Sequence, residues 1–293
     1  MVTIITIAFN KPSMFQFIVF ISFFINCHLV CSQKADTGAF DIINKTIKST
    51  RAIRTMSFRM KKIERIDGEM LKQISFNKMI RKPLTVYLRQ EYPVDGQEVL
   101  YKEGGKMLIN PKGFPWINLR LSPVGNLARS NQHHTILESG YDHVIDILDH
   151  LMSKYDHKVG AMVFIEKDSI WEGHAVWKIK LQNAYYQVND YVMQEDETVM
   201  QVARRDMLSE YWLVEQNEIL KSCNDESPGA TIKRPNDYAP SMELYIDKIR
   251  FIPLVIKVYD NIGLYEHYTY SEVTIDPVFR DIEFEKYYPE YGF

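Results

Sequence analysis

Cysteine is scarce: three residues in 293, at positions 27, 31 and 223. The first two fall in an N-terminal segment that reads as a removable leader. Cys223 is then alone, no intrachain disulfide is open to the mature chain, and its stability must come from a packed core. Long apolar runs are lacking too. The charge-free apolar run Met14–Ile25 (MFQFIVFISFFI) has 12 residues, against the roughly 20 that a membrane span needs. With Lys11 ahead of it and Val30-Cys31-Ser32 behind, it matches a signal-peptide core, and we expect cleavage after Ser32. An uncleaved anchor is the competing reading, and the same shortness weighs against it. Lipid attachment at Cys31 or Cys27 would need Gly, Ala or Ser just before the cysteine, where Val30 and Asn26 stand. No block of like charge is present, and the net charge is only −3, so nothing signals a nucleic-acid partner or a membrane-surface patch. H-E-x-x-H, G-x-S-x-G, C-x-x-C and glycine-rich phosphate loops are all missing. We therefore expect an exported protein that is not an enzyme and carries no cofactor.

What is present is mostly alternation. Asp36 to Ile53 has helical spacing (Ala39, Phe40, Ile43, Ile47). From Thr55 the period drops to two, and turn signals at Asp67-Gly68, Lys82-Pro83, Pro93–Gly96 and Gly104-Gly105 cut strands ending near Ile66, Ile80, Glu91, Lys102 and Asn110. Gly125 to Gly140 is a polar stretch that we read as loop. Tyr141 to Tyr155 is amphipathic, with Val144, Ile147, Leu148, Leu151 and Met152 on one face. Strands resume at Gly160–Lys167 and Gly173–Gln182, and again at Met242–Asp247, Leu254–Tyr259 and Leu264–Val273. The tail, Phe284–Phe293, is rich in tyrosine.

His143, His150 and His157 recur every seven residues with Asp142, Asp146 and Asp149 among them, which places them on one helix face. A metal site could be built from such ligands, but a solvated flank has the same composition, and we expect no metal. His133-His134 is read as a surface pair. Cys223 lies beside Asp225 and Glu226, which would raise its pKa and blunt it as a nucleophile.

Two resemblances add to this. Pro83-Leu84-Thr85-Val86-Tyr87-Leu88 with Gly96-Gln97-Glu98-Val99-Leu100-Tyr101, and Leu244-Tyr245-Ile246-Asp247, Ile252-Pro253, Val258 through Gly263, Tyr268 through Val273 and Phe284, resemble the LolA-like family of lipoprotein-carrier-related proteins. That resemblance implies an α+β fold, a curved antiparallel half-barrel with helices over its concave apolar face. In that fold Val144, Ile147, Leu148, Leu151 and Met152 either line a lipid cavity or simply close the core. Tyr191-x-Met193, Asp196-Glu197-Thr198-Val199, Val202-Ala203, Leu213-x-x-x-Asn217 and Gly229-x-x-Ile232-x-Arg234-Pro235 resemble LysM, a small βααβ module that binds N-acetylglucosamine glycans. The resemblance implies contacts from Gln194, Asp196, Glu197, Thr198, Asn217, Ile219 and Gly229. Here Asp196 stands where LysM usually has Gly, Arg234 replaces an apolar residue, and the second loop is long and acidic.

The expected organisation is a signal peptide (1–32), the first part of a half-barrel (33–189), a LysM-like insertion (190–236) and the last half-barrel strands (237–293). The expected function is non-enzymatic binding in the periplasm or cell envelope. Its partners would be peptidoglycan or a related glycan, and a lipid or lipoprotein acyl chain. A purely structural envelope protein with a filled core is one alternative. A cell-wall hydrolase is the other, and it would need carboxylates brought together from distant strands.

Overall fold

The computed structural model describes residues 37–293, so the signal peptide, its cleavage after Ser32 and Cys31 lie outside the described residues. The described residues cluster as one unit. It opens with helix α1 (Thr37–Ala52) and runs into a meander: β1 (Thr55–Ile66), β2 (Glu69–Ile80), β3 (Thr85–Tyr92), β4 (Glu98–Lys102), β5 (Met107–Asn110) and β6 (Leu119–Leu121). A short helix α2 (Asn126–Arg129) and a single 3-10 turn (Ile136–Glu138) precede α3 (Asp142–Tyr155). Then come β7 (Val163–Trp171) and β8 (His174–Gln182), the unit β9 (Val188–Val192), α4 (Val199–Asp206), α5 (Glu210–Glu215) and β10 (Thr231–Pro235), and finally β11 (Ser241–Asp247), β12 (Pro253–Tyr259) and β13 (Leu264–Ile275).

The fold is α+β, with few helices and one large, curved antiparallel sheet. Eleven strands run in the order β6-β5-β4-β3-β2-β1-β13-β12-β11-β8-β7. The last strand returns to pair with the first, so β1 and β13 join the two halves at the middle. Register shifts interrupt β1/β13, β2/β3, β7/β8, β11/β12 and β12/β13, and bulges of this kind bend and twist a sheet. Period-2 alternation fixes which side chains face inward. In β1 these are Met56, Phe58, Met60, Lys62, Glu64 and Ile66, of which Lys62 and Glu64 break the apolar pattern.

The inner face is covered by α1 and α3. Ala39, Ile43 and Ile47 of α1 and Ile145, Leu148 and Leu151 of α3 are buried in one continuous core with the sheet. Arg51 of α1 pairs with Asp146 and Asp149 of α3 at 3.2 and 2.8 Å, and Arg81 pairs with Asp142. The aspartates that sequence spacing set among the histidines thus face arginines. Among the described residues no His/Cys/Asp/Glu cluster could hold a metal ion.

The outer face of β3 and β4 carries the tail. Tyr291 stacks on Tyr87 with ring centroids 3.7 Å apart, and the Gly292 N–H donates to Glu98 at 2.7 Å.

Sequence reading misplaced a few elements. Residues 156–161 form a 3-10 turn, so β7 starts at Val163 rather than Gly160, and β6 was not foreseen. Both are short segments whose state is settled by neighbours rather than by their own periodicity. Gly140, which leads into α3, has φ +81°, and a Cβ there would sit 2.6 Å from the Met79 sulfur. Gly140→Ala is expected to cost about 1–3 kcal/mol, measured by denaturant unfolding; an unchanged midpoint would show that the turn relaxes freely.

Candidate functional site

Two acidic inward residues of the central strands meet across the sheet. Glu64 of β1 lies directly opposite Glu266 of β13, and each is 1% exposed. Like charges at a cross-strand pair are destabilising, and burial adds a desolvation cost that only close partners offset. Those partners come from the polar segment before α3. Glu266 Oε1 faces His133 Nδ1 at 2.8 Å and His134 Nε2 at 3.2 Å, and accepts from the Tyr238 hydroxyl at 2.9 Å. Glu64 accepts from the Tyr268 hydroxyl at 2.6 Å and the His133 N–H at 3.1 Å, with Lys62 Nζ at 3.3 Å. His133 Nε2 lies 2.8 Å from the Arg65 carbonyl, so both its ring nitrogens face acceptors.

The electrostatics follow from this geometry. Burial would push the Glu266 carboxyl up, but the His134 charge and the hydrogen bonds from both histidines outweigh it and hold the group well below the carboxylate range. Burial likewise works against a charged His134, yet the Glu266 charge and hydrogen bond prevail and raise it from 6.5 to about 9. Next to it, with ring centroids 4.7 Å apart, His143 of α3 is pushed down to about 4, by burial first and then by the His134 charge. Its Nε2 is buried and has no hydrogen-bond partner among the described residues. Titratable groups this strongly perturbed, beside a cleft, mark a functional-site candidate.

The cleft is a cavity of about 270 Å³ under the inner face. Its lining is mixed: Met60, Leu88, Val99, Met107, Ile256 and Val258 from the sheet and Val144 and Ile147 from α3 are apolar, Gln73, Ser75, Gln90 and Gln97 of the sheet are polar, and the buried cluster contributes His134, Glu138, His143, Tyr238 and Glu266. A second cavity, about 300 Å³, lies between α3 and the α4–α5 unit, and His134, Glu138 and His143 line it as well.

The β9-α4-α5-β10 unit is a strand-helix-helix-strand with its own two-stranded antiparallel sheet. The chain leaves the large sheet at Gln182 and re-enters at Ser241, which are paired neighbours. Its core side chains Val199, Val202, Leu213 and Ile232 belong to the same apolar cluster as the large sheet. Tyr211 of α5 stacks on one face of His133 at 4.5 Å and Tyr265 of β13 on the other at 4.2 Å. Glu210 pairs with Arg129 of α2 and, at 2.9 Å, with Arg204. The unit therefore docks on the same polar segment that neutralises the sheet carboxylates.

A family model described as "Protein of unknown function (DUF1571)" matches residues 53–200, from the edge of β1 into α4. The chain belongs to the DUF1571 family. No curated protein matches it. Among solved structures, this DUF1571 chain is similar to the Mycobacterium tuberculosis lipoprotein LppX, at 12% identity over 84% of this chain and 100% of that one, TM-score 0.43. It is also similar to the Pseudomonas aeruginosa MucA/MucB complex structure (11%, 85% and 60%, TM-score 0.38) and to a LolA superfamily protein from Nitrosomonas europaea (10%, 85% and 98%, TM-score 0.31).

In this DUF1571 member, Val144 and Ile147 reach the cavity, whereas Leu148, Leu151 and Met152 are buried in the core. Of the residues picked for glycan contact, Gln194 and Asp196 are exposed, and Ile219 is 58% exposed. Asp196 and Gly229 have φ of 58° and 76°, left-handed turns that Asp and Gly tolerate. The other three are occupied inside the unit. Glu197 accepts from the Tyr191 hydroxyl and the Gln194 N–H and pairs with Arg205, so it closes the loop rather than capping the helix. The Thr198 hydroxyl caps α4 by accepting from the Gln201 N–H. Asn217 donates to Leu213 and Lys233 carbonyls and accepts from the Lys233 N–H. Arg234, where LysM has an apolar residue, lies over the Tyr191 ring at 4.2 Å and pairs with Asp206.

Three readings need correction. His133 is 3% exposed and the His134 side chain 17%, so the surface pair is the centre of a buried cluster. His143 faces that cluster rather than a solvated flank. Cys223 is buried, and it is burial first, not the acidic loop, that lifts its thiol to about 11. The available signal was Lys62 and Glu64 at inward positions of β1, which required counterparts somewhere in the chain.

A histidine raised above 6.5 contributes stability that is complete below 6.5 and lost as pH rises through its folded value; a depressed one loses stability as pH falls below 6.5. His134 therefore gives an alkaline limb between about 6.5 and about 9, and His143 an acid limb between about 6.5 and about 4. Thermal unfolding followed across this range should show the alkaline limb, and His134→Gln should flatten it. An alkaline limb unchanged in that variant would refute the assignment.

Proposed function

We propose that this protein is a non-enzymatic envelope protein that binds a lipid or a lipoprotein acyl chain in the cavity beneath its sheet. The observation that carries this reading is the cavity itself, about 270 Å³, lined by apolar side chains of the sheet and α3 together with a few polar groups and the buried cluster. Ligand sites are typically concave, mostly apolar and furnished with a few convergent polar groups. Two similar structures are named as a lipoprotein and as a LolA superfamily protein, which accords with an exported carrier-type role. The paired carboxylates do not favour the hydrolase alternative. Both are held below the usual range, whereas a glycosidase acid must be kept protonated. Val144→Trp should fill the cavity and lower the affinity for a fluorescent acyl-chain probe at least about tenfold, with little change in melting temperature because volume is added to open space. Unchanged affinity in a folded variant would sink this reading.

A second reading concerns the β9–β10 unit. Its two loops are joined side by side: Thr198 bridges to Glu226, and Met200 N donates to the Cys223 carbonyl at 2.8 Å. A shallow groove between such loops is where LysM holds N-acetylglucosamine, with Gln194, Asp196, Ile219 and Gly229 available to ligand. Co-sedimentation with purified peptidoglycan tests it. Retention should drop several-fold in an Asp196→Ala/Ile219→Asp variant, and equal retention would refute groove binding.

A further inference from the structure

The cavity under the sheet and the one beside the α4–α5 unit are separated by the side chains that line both: His134, Glu138 and His143. His134 and Glu138 are committed, to Glu266 and Tyr238 in the first case and to the Thr135 N–H and hydroxyl in the second. His143 is not: its Nε2 is buried with no hydrogen-bond partner among the described residues. A buried polar atom left unpaired is costly, and this one belongs to a side chain that lines both cavities.

The charges around the junction cancel locally. Each carboxylate lining the second cavity faces an arginine: Asp142 faces Arg81, Asp146 faces Arg51, Glu210 faces Arg129 and Arg204, and Glu138 faces Arg204 at 3.5 Å. An anionic group beside His143 would lie close to Glu138 and Glu266. A cationic one would meet the His134 ring, already paired with Glu266. An uncharged group that both donates and accepts hydrogen bonds meets neither penalty.

We propose that the two cavities form one site for a lipid whose uncharged, hydroxyl-bearing polar group hydrogen-bonds His143 at the wall between them. The acyl chain occupies the sheet cavity, and the head extends toward Met207 and Arg204, so the inner flank of the β9–β10 unit, rather than only its outer loops, contacts ligand. This deepens the lipid-binding reading and rests on it.

Calorimetric titration of the full chain with three probes of one chain length separates the two: 1-monolauroylglycerol, laurate and methyl laurate, each below its micelle concentration. Monolauroylglycerol should bind at least about tenfold tighter than the others. His143→Phe should weaken it about five- to tenfold, the effect of one neutral hydrogen bond, while leaving methyl laurate unchanged, and His143→Gln should restore most of the loss. Met207→Trp, which narrows the second cavity, should weaken monolauroylglycerol alone. Equal affinities for the three probes, or a His143→Phe loss shared by methyl laurate, would overturn the inference and leave the acyl-chain reading standing. Failure of all three to bind would overturn both.

Discussion

Two carboxylates placed opposite each other at the centre of a sheet are a constraint that the rest of this molecule has to answer. Glu64 and Glu266 form a directly paired cross-strand position on the inner face, where neither water nor an apolar neighbour could make the pairing tolerable. The answer is His133, His134, Lys62, Tyr238 and Tyr268, which supply the donors. Only a chain segment laid across the inner face could deliver both histidines. That is why residues 132–140 are laid against the inner face, while Asn126, Leu127, Ser130 and Asn131 just before them stay exposed.

The same segment anchors the inserted unit. His133 lies between the rings of Tyr211 and Tyr265, and Arg129 reaches Glu210. The apolar side chains of the unit merge with the main core. The unit is therefore fixed against the sheet, not tethered to it, and its α4–α5 flank becomes a wall of the second cavity. Stability and binding geometry here draw on one set of contacts: of the groups that neutralise the sheet carboxylates, Lys62, His134, Tyr238 and Tyr268 border the first cavity and His133 and His134 the second.

Much of the architecture was legible locally. The strands of the meander end within a residue or two of their turn signals, because Asp67-Gly68 and Gly104 supply the positive φ those turns take. α3 begins and ends close to where its apolar stripe does, and the strand-helix-helix-strand order of residues 188–235 is the one that the resemblance to LysM implied. The site was less legible. Val144 and Ile147 carry a pattern that fits either a cavity wall or a filled core, and only the space left between α3 and the sheet tells which. Glu197, Thr198 and Asn217 have the right chemistry for glycan contact, but Tyr191, Gln201 and Lys233 occupy them.

The sequence by itself determined most of the strands, the two long helices and the tight turns, since these depend on periodicity and backbone preference over a few residues; short segments such as β6 and residues 156–161 were left to their neighbours. It also carried one unresolved clue, the charged pair Lys62 and Glu64 on an apolar face. The tertiary structure alone decided what that clue meant. The bond from Tyr268 to Glu64 joins residues 204 apart, and the β1–β13 register that makes it possible also sets Glu266 against Glu64. The histidine pair looks like surface in sequence because no local property of His133-His134 reports a carboxylate on a strand more than a hundred residues away. Burial, charge and the cavity at their side are products of that long-range pairing.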